Sequence, residues 1–450
     1  MPTFSNGQGT LILSLRKGET LVIRNYSGLE TVTGSSAERR EAVTSLGTGA
    51  VVYGPQPVDS SITLSTSGQL DYMTVMGDPH PGTFPGTKAN KFRAAIERSR
   101  SGGVPLLIAL HGDSNTAGAG AGTSTGGMVD AQKWSVGSQL ARILDRTFMY
   151  ATNDSFFGDQ NCGDAGVTLQ QYDPRFGALG SGWSLISGPT LGRKMFQGTA
   201  GGAGAVTFTP NKPWNRVRIF CGSNSSCAPT TNVKAGASTI GNLNTYRASG
   251  DALSDQTFST GSAAAVQSFS LDGVVGGTTF LCGAIFWDSE NPGCVIVSGA
   301  WYGGFVAQLN TTTLPWSPRN VAAALGAGLH IGNATINDAN GPTAVATFKA
   351  SSLDFYTALS ASGDVLITGM TPTSTPSTAL LDSYESALQE VVSAIGSPFP
   401  LIDWRDQFGA TYTAANAAGW MYDGNHLKGI GYARQAAIYA NLIRDIAQGI

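Results

Sequence analysis

A chain of 450 residues is longer than one hydrophobic core usually spans, so two or three domains are expected. Charged residues are only 13% of it, against roughly 25% in an average soluble chain, and 59 glycines help fill the gap, a balance that favours turn-rich β structure over a helical bundle. A net charge of −3 without a basic run excludes the electrostatic footprint of a nucleic-acid binder, and no apolar stretch reaches the length of a membrane-spanning helix.

The opening Met1-Pro2-Thr3-Phe4-Ser5-Asn6-Gly7 has neither the basic nor the apolar region of a secretory signal. The expectation is synthesis in a cytoplasm, with any export by another route. Residues 1–80 read as a small β domain. Thr10–Leu15, Thr20–Arg24, Val51–Tyr53, Ser61–Thr66 and Leu70–Val75 are short, β-branched and bounded by turn residues. Gly77–Gly82 breaks any regular element and reads as a linker.

Over residues 81–152 the pattern becomes α/β. A helix from Phe92 to Arg100 ends at Ser101-Gly102-Gly103 and leads into the apolar run Val104–Leu110, suited to a central parallel strand. The next helix carries Val136, Leu140, Ile143 and Leu144 on one face. Residues 153–291 lose helical period and become Gly/Ser/Thr-rich. Ala205–Thr209, Arg216–Phe220 and Thr279–Phe286 are the clearest strands, and the segment reads as an inserted β-sandwich.

The α/β rhythm resumes over 292–450, with strands expected at Cys294–Val297, Leu329–Gly332, Asp364–Thr368 and Leu401–Asp403. One helix carries Leu381, Tyr384, Leu388, Val391, Val392 and Ile395 and is stopped by Gly396. The last helix presents Ala436, Ala440, Ile443 and Ala447. Right-handed crossovers then give a five-stranded parallel sheet with helices on both faces.

The five cysteines, Cys162, Cys221, Cys227, Cys282 and Cys294, form no CxxC pair, and His80, His111, His330 and His426 are scattered. That spacing argues against zinc, and neither a metal nor a cofactor is expected. Cys221 and Cys227 could bridge a turn; buried free thiols are the default.

Open α/β sheets bind ligands at strand carboxyl ends. The strand ending at Leu110 runs into His111-Gly112-Asp113-Ser114-Asn115-Thr116, where Gly112 permits a tight turn and Ser114 opens a helical segment. Near the other end, Asp423-Gly424-Asn425-His426 precedes the last helix. Asp and His three apart in a turn can face one place, with Asp423 on one imidazole nitrogen and a serine on the other. His111 and His330 read as structural histidines, and Asp113 as a brace for the turn.

These two blocks, Gly112-Asp113-Ser114 and Asp423-x-x-His426, resemble the first and last motifs of the SGNH (GDSL-type) hydrolases, over residues 90–152 and 292–450. The resemblance implies a flavodoxin-like three-layer α/β/α domain, with Ser114 as nucleophile, His426 as base and Asp423 as its partner. It also implies an oxyanion hole made by Ser114, a Gly and an Asn. Asn337 in Ala334–Ala339 fits the Asn block, with Thr335 where the family usually has Gly. Ser298–Gly304 fits the Gly block, where Gly303 is the choice and Gly304 the alternative.

The insert resembles the β-sandwich modules of SGNH carbohydrate esterases, and the N-terminal unit resembles the attachment region of a bacteriophage tail protein. No apolar lid helix of the long-chain lipase kind is seen. The resemblance thus implies an O-acetyl esterase acting on an acetylated bacterial polysaccharide. It would sit in a virion tail spike or fibre or be extracellular, docked to a tail protein through residues 1–80, with a homotrimer expected. Trp183, Trp214, Trp287, Trp301 and Tyr302 could stack on sugars, although core packing is the default for each. A lipolytic or small-ester esterase, and a non-catalytic carbohydrate-binding virion protein, are the competing classes.

Overall fold

The computed structural model describes residues 89–448 apart from 124, 161 and 342, together with the backbone of eight strands between Thr3 and Met76. Two compact units emerge, Met1–Lys88 with Asp445–Ile450, and Ala89–Arg444. In the first, two antiparallel sheets form. Glu19–Asn25 lies between Leu70–Met76 and Val51–Tyr53, and Ser60–Thr66 lies between Gly9–Leu15 and Leu29–Thr33. The expected linker at Gly77–Gly82 lies outside the described residues.

The second unit is built on a five-stranded parallel sheet. Its strands, numbered within this sheet, are β1 (Leu106–Gly112), β2 (Ala151–Thr152), β3 (Cys294–Ala300), β4 (Leu329–Asn333) and β5 (Asp364–Thr368). They lie in the order β2-β3-β1-β4-β5. Every residue of β1 is buried, as an apolar run covered on both faces requires.

On one face Leu107, Ala109, Val295, Val297, Val365 and Ile367 share a core with helices α3 (Val345–Ser360) and α4 (Thr378–Ala394), once α1 (Asn90–Ser101) and α2 (Val136–Thr147) are counted before them. On the other face α2 lies so close that a Cβ added at Gly137 would touch Leu110 and Ile296. Helix α5 (Gly429–Gln448) buries Ala436, Ala440 and Ile443, as their spacing predicts. The chain leaves β1 toward β2 and β3 on one side and returns to β4 on the other. The carboxyl ends of β1 and β4 therefore flank a topological switch point, where such sheets bind ligands.

One expected strand is corrected. Leu401–Asp403 is not a strand of the sheet; it makes a single parallel bridge, Ile402 to Thr368, and the fifth strand is the two-residue β2. Pro400 supplies no N–H for a ladder, and the Asp403 carboxylate instead caps the helix Trp404–Phe408 through the Arg405 N–H.

Between β2 and β3 the chain forms two further antiparallel sheets. The larger has six strands and includes Arg216–Ser223, Ala252–Ser259 and Thr278–Trp287; the smaller has four. They enclose a core rich in aromatic rings. The Phe286 ring lies 5.1–5.4 Å from Phe269, Trp214 and Phe208, each fully buried. A side chain of that size contributes about 1.5–3 kcal/mol by leaving water, which holds together a segment poor in helices. The reverse face of the larger sheet, through Phe157, Phe220, Ile285 and Trp287, joins the core of the α/β part.

Candidate active site

The turn after β1 admits no side chain at Gly112: a Cβ there would lie 2.3 Å from Thr116 Oγ1 and 3.0 Å from the Asn333 carbonyl. This close passage carries the chain into the short helix Ser114–Ala117, whose first residue is the candidate nucleophile. Asp113 caps that helix by accepting the Asn115 N–H at 2.9 Å. Thr116 is held from beneath by Asn333 on β4, whose Nδ2 donates to Thr116 Oγ1 at 2.9 Å, while Thr368 and Tyr439 hydroxyls donate to Asn333 Oδ1 at 2.8 and 2.6 Å.

Asp423 and His426 form a local turn. The Asp423 Oδ1 accepts the Asn425 and His426 N–H groups at 2.8 and 2.9 Å, which folds the segment back and brings His426 Nδ1 to 2.8 Å from Oδ2. The turn is docked on the segment after β5 through the Ser374 N–H and Thr373 hydroxyl, both donating to the Gly424 carbonyl. Across it, His426 Nε2 lies 2.9 Å from Ser114 Oγ. Three residues separated by 312 positions of chain thus form one continuous hydrogen-bonded series.

Burial alone would raise the Asp423 pKa. The His426 hydrogen bond and charge, with the two backbone N–H donors, outweigh it and hold the carboxyl at about 2. Asp423 is therefore an anion throughout the neutral range, able to fix the imidazole by its Nδ1–H and to stabilise an imidazolium. Asp113 is pushed the opposite way, above the usual carboxylate range, because it is fully buried.

The loop after β3 supplies a free donor. Trp301 N–H is taken by the Gly112 carbonyl, Tyr302 by Gln160, Gly304 by Trp301, and Phe305 by the Gln308 side chain. Of the N–H groups of residues 301–305, only that of Gly303, in the left-handed region at φ 73°, has no partner among the described residues. Gly304 not only spends its N–H but also packs so tightly that a Cβ would meet Trp301 at 2.9 Å. Asn337 sits in the short helix Ile336–Asn340 beside this loop. Its Nδ2 donates to the Gly304 carbonyl at 3.0 Å and reaches Asp113 Oδ2 at 3.4 Å.

Two connections are not visible in the sequence reading. The Asp338 carboxylate accepts the Val306 N–H at 2.9 Å and the Thr335 hydroxyl, joining the Asn337 segment to the loop bearing Gly303. The Thr335-x-x-Asp338 spacing is a helix-start signal that could have marked it. Tyr302 also lies beside the site, its ring 6.2 Å from that of His426 and nearly parallel to it.

Other candidates lie elsewhere. Trp183, Trp214, Trp287 and Trp301 are all buried and pack cores, Trp287 also lining a cleft at the amino end of β1, away from Ser114. His111 and His330 lie inside the sheet layer, 3.0 Å apart through Nε2 and Nδ1. All five cysteines are buried free thiols, so Cys221 and Cys227 are not bridged. Among the described residues no cluster of His, Cys, Asp and Glu could hold a metal ion, and no helix is long and apolar enough to cross a membrane.

No family model and no curated protein matches the sequence. The similarity is in the fold. A solved peptidoglycan O-acetylesterase aligns over 82% of this chain and 99% of its own, at 18% identity and a TM-score of 0.59. A family two carbohydrate esterase from Cellvibrio japonicus (10% identity, 61% of this chain, 96% of that one) has a TM-score of only 0.27. A GDSL-like lipase from Parabacteroides merdae (16% identity, 33% and 74%) reaches 0.28. Both scores are too low to support an argument. The chain thus shares the fold of that solved O-acetylesterase, and its Gly112-Asp113-Ser114 and Asp423-x-x-His426 segments, which resemble SGNH motifs, meet at the carboxyl edge of the parallel sheet.

Proposed function

We propose that the protein is a serine esterase that removes O-acetyl groups from a bacterial surface polysaccharide. The observation that carries this reading is the series Ser114–His426–Asp423 beside the free N–H of Gly303 at the carboxyl edge of the sheet. Ser114 Oγ attacks the acetyl carbonyl while His426 Nε2 takes its proton. The tetrahedral oxyanion is met by the N–H groups of Ser114 and Gly303 and by the Asn337 Nδ2 hydrogen that otherwise makes only the long 3.4 Å contact to Asp113. As the intermediate collapses, the proton on His426 passes to the departing sugar hydroxyl. Water activated by the same imidazole then releases acetate and restores Ser114.

The polymer is the finer part of the reading. It is supported by the fold shared with a peptidoglycan O-acetylesterase and by the resemblance of the two-sheet insert to the modules of SGNH carbohydrate esterases. The N-terminal strands, residues 1–80, would dock the enzyme to a virion tail, and a homotrimer would be its assembled form. These two points rest on the resemblance of that region to phage tail proteins and are tested by locating the protein in purified virions and by its mass in solution.

Acetate release from O-acetylated capsule, O-antigen and peptidoglycan tests the activity, with Ser114→Ala as control. Release by the wild type alone supports the reading. Turnover of short lipid esters with no release from any polymer would replace it with a small-ester esterase. Absence of turnover on every ester, 4-nitrophenyl acetate included, would leave a carbohydrate-binding protein.

A further inference from the structure

At the amino end of β1, opposite Ser114, the larger sheet of the insert and the α/β part enclose a cleft of about 430 Å³. Three arginines line it, Arg98, Arg216 and Arg218, together with Trp287, and among the described residues no acidic one does. In a chain of net charge −3 that is a local excess of one sign.

The strand register explains the convergence. Arg216 stands opposite Trp287, and Arg218 opposite Ile285 and Thr257, so alternate residues of three neighbouring strands project from one face. The intervening Val217 and Ile219 enter the aromatic core on the other face. Arg98 arrives from α1 on the facing wall.

The three cations are not equivalent. Arg218 is committed: it forks onto Asp255 at 2.8 and 2.6 Å and donates to the Leu325 and Ala324 carbonyls, fixing the wall. Arg98 and Arg216 have no ion-pair partner among the described residues, and both line the same cavity. Two guanidiniums without an ion-pair partner lining one cleft favour an anion there, and a cleft of this size holds a sugar unit or two.

We propose that this cleft binds a carboxylate-bearing sugar unit of the substrate polymer, making it a second polysaccharide site separate from the one that cleaves. The identity of the occupant as a sugar rests on the reading of the substrate as a polysaccharide. Leu107 in the cleft lies five residues along β1 from Gly112, roughly 17 Å, with Ser114 just beyond the turn that follows. A chain of several sugars would therefore be needed to occupy both sites at once.

Calorimetric titration of the full-length protein at low salt tests this, with oligogalacturonate, the neutral maltotriose and inorganic phosphate as probes. Arg98→Gln/Arg216→Gln is compared with wild type, and Arg98→Gln alone, on an exposed helical position, guards against a folding defect. Oligogalacturonate is expected to bind, at least about 10-fold more weakly in the double variant and more weakly as salt rises, with 4-nitrophenyl acetate turnover unchanged. Maltotriose is expected not to bind. Equal affinity in wild type and both variants, no binding of oligogalacturonate, or equally tight maltotriose would overturn the proposal. Phosphate binding without oligogalacturonate would overturn the sugar as occupant. If no polymer releases acetate while oligogalacturonate binds through these arginines, the polysaccharide-deacetylase reading fails and the cleft stands.

Discussion

The Asp113 carboxylate accepts the Ile336 N–H at 2.7 Å, so the residue before Ser114 is tied to the residue before Asn337. Asp113 is fully buried and also caps the helix that begins at Ser114. One side chain thereby sets the spacing between Ser114 and Asn337, the proposed oxyanion donor.

Asp113→Asn tests that role. The amide is the same size, but its NH2 group would face the Ile336 N–H and the Asn337 Nδ2, leaving donors against donors. A stability loss of about 1–3 kcal/mol is expected, with kcat reduced and Ser114 still present. Thermal unfolding and 4-nitrophenyl acetate kinetics report the two effects; unchanged values for both would remove Asp113 from the framework.

On the proposed mechanism, Asn337→Ala removes one donor to the oxyanion. Turnover should fall roughly 100- to 1000-fold, or about 2.7–4 kcal/mol of transition-state stabilisation, with little change in KM. Near wild-type kcat would exclude Asn337 from the pocket. Gly303 should behave differently from Gly304. An alanine methyl at 303 meets nothing within 4 Å and adds only left-handed strain, whereas at 304 it collides with Trp301. Gly304→Ala should therefore lose more stability, read as Tm.

The buried histidine pair predicts acid sensitivity. Ser362 Oγ donates to the Leu359 carbonyl and so accepts from His330 Nε2; His330 Nδ1 then accepts from His111 Nε2, and both rings are neutral. Burial lowers both pKa values, His111 to about 3. Below the unfolded value near 6.5 the unfolded chain binds protons that the folded one refuses, so stability falls as pH drops from there. At pH 5 His111 alone accounts for up to about 2 kcal/mol. Thermal unfolding from pH 7.5 to 5 should show this loss, and His111→Gln/His330→Gln should flatten it; an equal slope in the variant would point to other groups.

Five free, buried thiols predict that a reducing agent leaves Tm unchanged and that a thiol reagent reacts only after denaturation. Fewer than five reactive groups in denaturant, rising on reduction, would indicate a bridge.

Ser114, Asp423 and His426 are legible in the sequence because each depends on a local feature: a glycine turn at the end of an apolar run, and an aspartate turn before a helix. The strand at Ala151–Thr152 is too short to have a period, and Leu401–Asp403 looks like a strand until Pro400 and the Asp403 cap are counted. The His111–His330 contact depends on how β1 and β4 pair, with His330 opposite Ala109, which no residue pattern within either strand specifies. The Asn333 support for Thr116 and the Asp338 link likewise join segments far apart in the chain.

The central claim is that Ser114 is a nucleophile activated by His426. Intact-protein and peptide mass spectrometry after treatment with a fluorophosphonate measures it directly. One adduct on Ser114 is expected, absent in Ser114→Ala and formed at least about 100-fold more slowly in His426→Ala. No adduct on the wild type, an adduct on another serine, or equal labelling in His426→Ala would contradict the account.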